Sequence, residues 1–179
     1  ILTGSQAIVS NPHFVKKVRF PLALLPSVSV LSALVIHLVL VALLLILLGA
    51  QGVFSGWPLA TLPLWIELAV VTALALALLT SALTVMIPDV GALLPSIIGI
   101  LFWLTPIVWS LDTVSEQYRW LFMANPAAIV VEGYRFALLG KPLDIGLSGM
   151  AGVGVFVTII ILAALGFFRR VRPLFADMM

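Results

Sequence analysis

The feature that most constrains this chain is the distance between its charges. Residues 20–66 contain no Asp, Glu, Lys or Arg, a run of 47. Three further uncharged runs cover residues 68–88, 90–111 and 145–168, of 21, 22 and 24 residues. A helix crossing the ~30 Å hydrocarbon core of a bilayer needs roughly 20 predominantly apolar residues. Each shorter run therefore fits one crossing, and the 47-residue run fits one crossing and part of the next. The long run is interrupted at Gly49-Ala50-Gln51-Gly52 and at Ser55-Gly56-Trp57-Pro58, residue types that mark a turn. The spacing predicts spanning helices over residues 27–48, 62–87, 91–109 and 148–168. With 63% hydrophobic and 9% charged residues, against ~25% charged in ordinary soluble domains, a disordered tail, a coiled coil and a typical cytosolic enzyme are excluded. The absence of cysteine excludes a disulfide scaffold and thiolate metal sites. The expected fold is all-α, a polytopic transmembrane helix bundle.

Lys and Arg set the expected orientation, because positively charged flanks stay in the cytoplasm. Lys16, Lys17 and Arg19 precede the first span, and Arg169, Arg170 and Arg172 follow the last. Four crossings return the chain to its starting side, so the two clusters agree. Residues 49–61, without charge, fall outside; the turn at 88–90 falls inside; residues 111–147 fall outside; and residues 169–179 form a cytoplasmic tail. The chain opens on Ile1, and its first ten residues read as the exit from a preceding segment. The expectation is the C-terminal portion of a longer membrane protein.

Two segments do not span. Asn11-Pro12 opens a short amphipathic helix over residues 12–20, since Asn is a strong N-cap and Pro is favoured at the first helical position. Phe14 and Val18 fall one turn apart with Val15 beside them, while Lys16, Lys17 and Arg19 take other faces. This helix is either a basic anchor on lipid head groups or a docking helix for a cytoplasmic partner. Asn125-Pro126 opens a second helix that Gly140 closes, Gly being the usual C-terminal residue. At about 14 residues and 1.5 Å per residue it covers roughly 21 Å, too short to cross. Glu132 and Arg135 lie three apart and can pair on one face. Thr113-x-x-Glu116 has capping-box form and offers a start for another short helix through Tyr118, Trp120 and Phe122. Residues 113–140 thus read as two short re-entrant helices on the outer side, with helices lying flat on the outer surface as the alternative.

No enzyme constellation is present. His13 and His37 have no carboxylate or thiolate neighbours at ligand spacing, and Gly-x-Ser-x-Gly is absent. Gly140-Lys141 is not a phosphate loop, because Pro142 follows and Arg135 occupies the earlier glycine position. A net charge of +2 without a basic stripe gives no case for nucleic acid. Within the spans, His37 reads as a neutral, hydrogen-bonded group between helices and Glu67 as a wet residue near the interface. Thr80, Ser81 and Thr84 read as glue between helices, and Gly146, Gly149 and Gly152 as a close-packing stripe. Trp57, Trp65, Trp109 and Trp120 fall near the outer interface, with Trp103 deeper. They are either an anchoring aromatic belt or a stacking surface for sugars at a channel exit.

The segment from Asn11-Pro12-His13-Phe14-Val15-Lys16-Lys17 to Pro21, followed by Leu25-Pro26, resembles the cytoplasmic segment of ABC-2 type permeases that export polysaccharides. Ile87-Pro88-Asp89-Val90, Thr105-Pro106-Ile107-Val108, Asn125-Pro126 through Glu132-Gly133-Tyr134-Arg135, and Arg172-Pro173-Leu174-Phe175-Ala176-Asp177 match further elements in order. The resemblance covers nearly the whole chain. It implies six spans in the full protein, with the first third absent here, and a location in a bacterial or archaeal cytoplasmic membrane. It also implies a permease homodimer and a cytoplasmic ABC ATPase subunit that carries the ATP and Mg, leaving no cofactor in this chain. The substrate it implies is a lipid-linked glycan such as O-antigen, capsule or teichoic acid. Phe14, Val15, Lys16, Lys17, Val18 and Arg19 would then couple to the ATPase. Trp109, Tyr118, Trp120, Glu132 and Arg135 would belong to the channel's outer gate. Pro88 stands where that family usually has an arginine, so no role is carried over to the Pro88-Asp89 turn. The rival readings are an ABC-2 exporter of a drug or lipid, a scaffold subunit without an ATPase, and an intramembrane enzyme of lipid-linked sugars. The last needs clustered carboxylates, which the scattered Asp89, Asp112 and Asp144 do not supply.

Overall fold

A computed structural model describes residues 1–15, 20–53, 55–123, 125–143 and 147–178. Helices dominate, and no strand occurs among the described residues. In chain order they are α1 (Leu2–Gln6), α2 (Pro12–Val15), α3 (Leu24–Ala50), α4 (Leu62–Met86), α5 (Pro88–Leu104), α6 (Glu116–Met123), α7 (Pro126–Leu139), α8 (Leu147–Val171) and α9 (Phe175–Met178). Short 3₁₀ turns occupy Trp57–Thr61, Leu111–Thr113 and Arg172–Leu174. The segments Leu24–Ala50, Trp57–Met86 and Gly152–Leu174 are long and apolar enough to cross a membrane, and Pro88–Leu104 is a shorter apolar helix.

The third expected span is therefore shorter than its uncharged run. It begins at Pro88, whose ring suits a first helical turn, and ends at Leu104 rather than at 109. Pro106 explains the stop, because proline disfavours helical geometry at the residue before it. Residues 107–109 leave the helix, which changes the setting of Trp109.

The chain divides into two compact units. The first contains Ile1–Ile36, Val70–Ile97 and Thr158–Met179. Its core joins Ile8, Val15, Leu22, Ala82, Val85, Phe168, Val171 and Phe175. Thr80, Ser81 and Thr84 do not act as interhelical glue here. Their hydroxyls donate to Leu76 O, Leu78 O and Thr80 O at 2.7, 2.9 and 2.8 Å, all within α4. Ser81 and Thr84 are nonetheless buried, so they contribute small volume rather than cross-helix bonds. Back-bonding to the preceding turn satisfies a hydroxyl locally.

The second unit contains His37–Ala69 and Ile98–Val157. Its core is Val41 of α3, Leu62 and Trp65 of α4, and Ile129, Ala137 and Leu138 of α7. Trp65, expected in an interfacial belt, is only 4% exposed, and its Nε1 donates to Thr61 Oγ1 at 3.1 Å. Its ring fits against the backbone of α7 at Gly133, where an added Cβ would stand 2.2 Å from Cδ2 and Cε3 of the indole. Only a residue without a side chain permits that approach. Of the proposed glycine stripe, Gly146 and the side of α8 at Gly149 lie outside the described residues. A Cβ on Gly152 would meet nothing within 4 Å, so that glycine packs no helix of this chain.

Candidate functional site

Two places carry the sequence-predicted site residues. In the first unit, α2 covers only the start of the expected 12–20 helix; Lys16, Lys17, Val18 and Arg19 lie outside the described residues. Phe14 stacks on Phe20 at 4.5 Å between ring centroids and packs against the core. Val15 is 9% exposed and belongs to the core itself. Its side chain is turned inward and supports the element from within. The reason is local: Asn11 and Pro12 start the turn, and Val15 is the apolar residue that this start aims at Ile8, Leu22 and Phe175.

In the second unit the pair of short helices α6 and α7 is built around α7. Asn125 caps it, its Oδ1 accepting from Ala127 N at 3.0 Å, while its Nδ2 donates to Thr105 Oγ1 at 2.8 Å. Thr105 is buried and donates in turn to Leu101 O at 2.6 Å. The Thr-Pro and Asn-Pro pairs, 20 residues apart, are thus joined directly. Gly140 ends the helix in the left-handed conformation, φ 67°, which glycine adopts without cost. Ser55 Oγ donates to Ala137 O at 2.5 Å near this end.

Arg135 is the hub of this unit. Its Nη1 donates to Glu132 Oε1 at 2.6 Å, and its Nη2 donates to the carbonyls of Ile107 and Trp109 at 3.2 and 2.9 Å. Both members of the ion pair are 19% exposed. The guanidinium fork reads two directions at once, tying α7 to the segment that leaves α5. Trp109 is held by this clamp, by donation of its Nε1 to Trp103 O at 3.1 Å, and by edge contact with Phe122 of α6 at 5.1 Å. Trp120 and Tyr118, at 68% and 57% exposure, stay on the surface of α6. The structure therefore brings Trp109, Glu132 and Arg135 into one constellation and leaves Tyr118 and Trp120 outside it. The expected capping box does not form. Thr113 ends the Leu111–Thr113 turn, its hydroxyl donating to Ser110 O at 2.7 Å, and α6 begins at Glu116. Nearby, donation from Ser110 Oγ at 2.7 Å lowers the pKa of the Asp112 carboxyl below its ordinary value.

His37 and Tyr134 form the contact that periodicity could not locate. His37 Nε2 and the Tyr134 hydroxyl share a hydrogen bond of 2.7 Å, with the rings edge to face at 5.7 Å. A cavity of about 410 Å³ beside them is lined by Leu44, Leu48, Val130, Leu138 and Arg135. His37 is the middle residue of α3, 13 residues from either end of Leu24–Ala50. At 1.5 Å per residue, Tyr134 meets α3 about 20 Å from the end of that helix.

A family model described as ABC-2 type transporter matches residues 3–139, and the chain belongs to that family. It is a polytopic helical membrane protein. Among curated relatives it is 27% identical to an O-antigen export system permease protein, RfbA, of Myxococcus xanthus, over 97% of this chain and 67% of the relative. A protein of the same name from Klebsiella pneumoniae is 21% identical over 97% of this chain and 66% of the relative. The chain spans about two thirds of the length of the curated relatives it matches.

Proposed function

We propose that this chain is the transmembrane permease subunit of an ABC transporter that exports a lipid-linked polysaccharide across the cytoplasmic membrane. A separate cytoplasmic ATPase drives it, and two permeases pair to form the pathway. The observation that carries this reading is similarity over 97% of the chain to permeases named for O-antigen export. The geometry adds two supports.

The first is parity. Residues of the 12–22 segment and of the 168–175 segment share one core, and Arg172 Nη2 donates to Phe20 O at 3.3 Å. Both segments therefore lie on one side of the membrane, which requires an even number of crossings between them. The long helices α3, α4 and α8 account for three, and α5, whose 17 residues meet the lower limit of the spanning range, would be the fourth. The positive flanks favour the cytoplasm for this side and the C-terminus.

The second support is depth. Contact between Tyr134 and the middle residue of α3 supports reading α7 as a re-entrant helix rather than one lying flat on the outer surface. Irregular backbone within a membrane must face protein or a water-filled path, and the non-helical residues that follow α5 would in this reading border a polymer channel. In this reading Trp109, clamped by Arg135, would line that path.

The test is purification of the full-length protein from its native operon with the ATPase subunit present, followed by glycan export in cells. An ATPase that co-purifies, and export that stops when this chain is deleted, support the reading. Absence of the ATPase, or unchanged export in the deletion, refutes it. Trp109→Ala is expected to slow export more than it lowers membrane abundance; equal losses would make Trp109 an anchor alone.

A further inference from the structure

We infer that the segment following α8 is the internal seat of the ATPase-facing element, with Phe175 and Arg172 as its positioning residues. This rests on the reading that an ATPase docks on the element that opens at Asn11-Pro12. The four residues Phe175–Met178 continue α8 through the turn Arg172–Leu174, and Phe175 ties this extension into the core. That side chain is fully buried, 0% exposed, and meets Phe168 edge to face at 5.8 Å. It shares its core with Val15, Ile8 and Leu22, residues on both sides of the turn that opens at Asn11. The turn Arg172–Leu174 is flanked by helical geometry at Val171 and Phe175, so the chain runs on from α8 and Phe175, seven residues after Phe168, falls on the same helical face. On the flank, the Arg172 guanidinium donates to the Phe20 carbonyl across 152 residues of sequence. Phe20 in turn carries the stacked ring of Phe14.

These contacts make α2, the 20–22 connector and the end of α8 one packed body. A core transmits displacement because it is close-packed and yields little. Load applied at Pro12–Val15 therefore reaches α8 through Val15 and Phe175, without passing along α3. The C-terminal segment is not a passive tail. It sets the angle at which the docking element is presented, and it gives the ATPase a direct mechanical path to the last span.

The experiment uses the full-length permease co-expressed with its ATPase, reading membrane abundance, ATPase retained per permease, and glycan exported per ATP hydrolysed. Phe175→Ala is expected to leave abundance near wild type while lowering ATPase retention about tenfold, the scale of losing one anchor of an interface. Phe175→Leu, which keeps most of the volume, is expected to restore retention and the export-to-hydrolysis ratio. Arg172→Ala, which removes one exposed hydrogen bond, is expected to lower retention about threefold, the scale of one such bond. If the wild-type protein retains no ATPase, the functional reading falls and the seat with it. If wild type retains ATPase and Phe175→Ala retains as much at equal abundance, the seat alone is overturned. Should Phe175→Ala fail to accumulate, Arg172→Ala decides: unchanged retention overturns the inference, and reduced retention supports it.

Discussion

Gly133→Ala tests the packing on which the pair of short helices α6 and α7 depends. The new methyl would stand 2.2 Å from two ring atoms of Trp65 and 2.7 Å from a third. Carbon atoms rest about 3.5–4.0 Å apart, so the gap must open by about 1.5 Å. Trp65 has little freedom to retreat, being buried in the core and tied through Nε1 to Thr61. The displacement therefore falls on α7. A shift of that size would stretch the 2.7 Å bond between Tyr134 and His37 past any useful length. Overpacking costs about 1–3 kcal/mol, and the lost hydrogen bond adds about 1 kcal/mol. Alanine's better helix propensity returns up to about 1 kcal/mol, leaving a net loss of about 1–3 kcal/mol. For a chain of this length that lowers Tm by about 2–4 °C per kcal/mol, read by helical circular dichroism during heating in detergent. Trp65→Leu alone also destabilises, by leaving a cavity, but it makes room for the methyl. The double variant should lose less than the sum of the singles, with a coupling of about 0.5–3 kcal/mol for residues in contact. Additive losses, or a Gly133→Ala protein with unchanged Tm, would refute the reasoning.

Two further perturbations follow from the same unit. Tyr134→Phe removes one hydrogen bond and is expected to cost about 0.5–1.5 kcal/mol. Hydrogen exchange in α7 should rise accordingly, and adding His37→Phe should increase it by less than His37→Phe does alone. Arg135→Ala frees the Ile107 and Trp109 carbonyls and leaves Glu132 unpaired. With hydrogen bonds to charged groups worth about 1.5–3 kcal/mol each, export should fall further than membrane abundance. Glu132→Ala with Arg135→Ala should recover abundance but not export, because the clamp on Trp109 stays open.

What the sequence revealed and what it concealed divide along physical lines. Charge scarcity located α3, α4 and α8 within a few residues, because desolvating a charge in hydrocarbon is costly wherever the fold places it. The ends of α7 were legible because Asn125, Pro126 and Gly140 act through their own backbone neighbourhood. Contacts between distant residues left no local trace. Nothing near Trp65 distinguishes an interfacial ring from one seated on Gly133, and nothing in Asn125 announces Thr105 as its second partner. The burial of Val15 was hidden for a related reason. On a four-residue helix the direction of a side chain depends on what the core needs, and Phe175, which shares its core, lies 160 positions away. Tyr134 was read only as part of a motif; its meaning emerges once α3 supplies His37 at mid-helix.

The brevity of α5 has a consequence for the surrounding lipid. Seventeen residues cover about 26 Å at 1.5 Å per residue, a few ångströms less than the ~30 Å hydrocarbon thickness of an average bilayer. Pro95 lies within those residues, and proline withholds an amide from the helix ladder. Under the proposed four-crossing topology, acyl chains beside α5 would have to compress to meet it, at a cost of fractions of a kcal/mol per ångström. That mismatch would tie the helix to the length of the lipids around it, and longer chains would raise the cost.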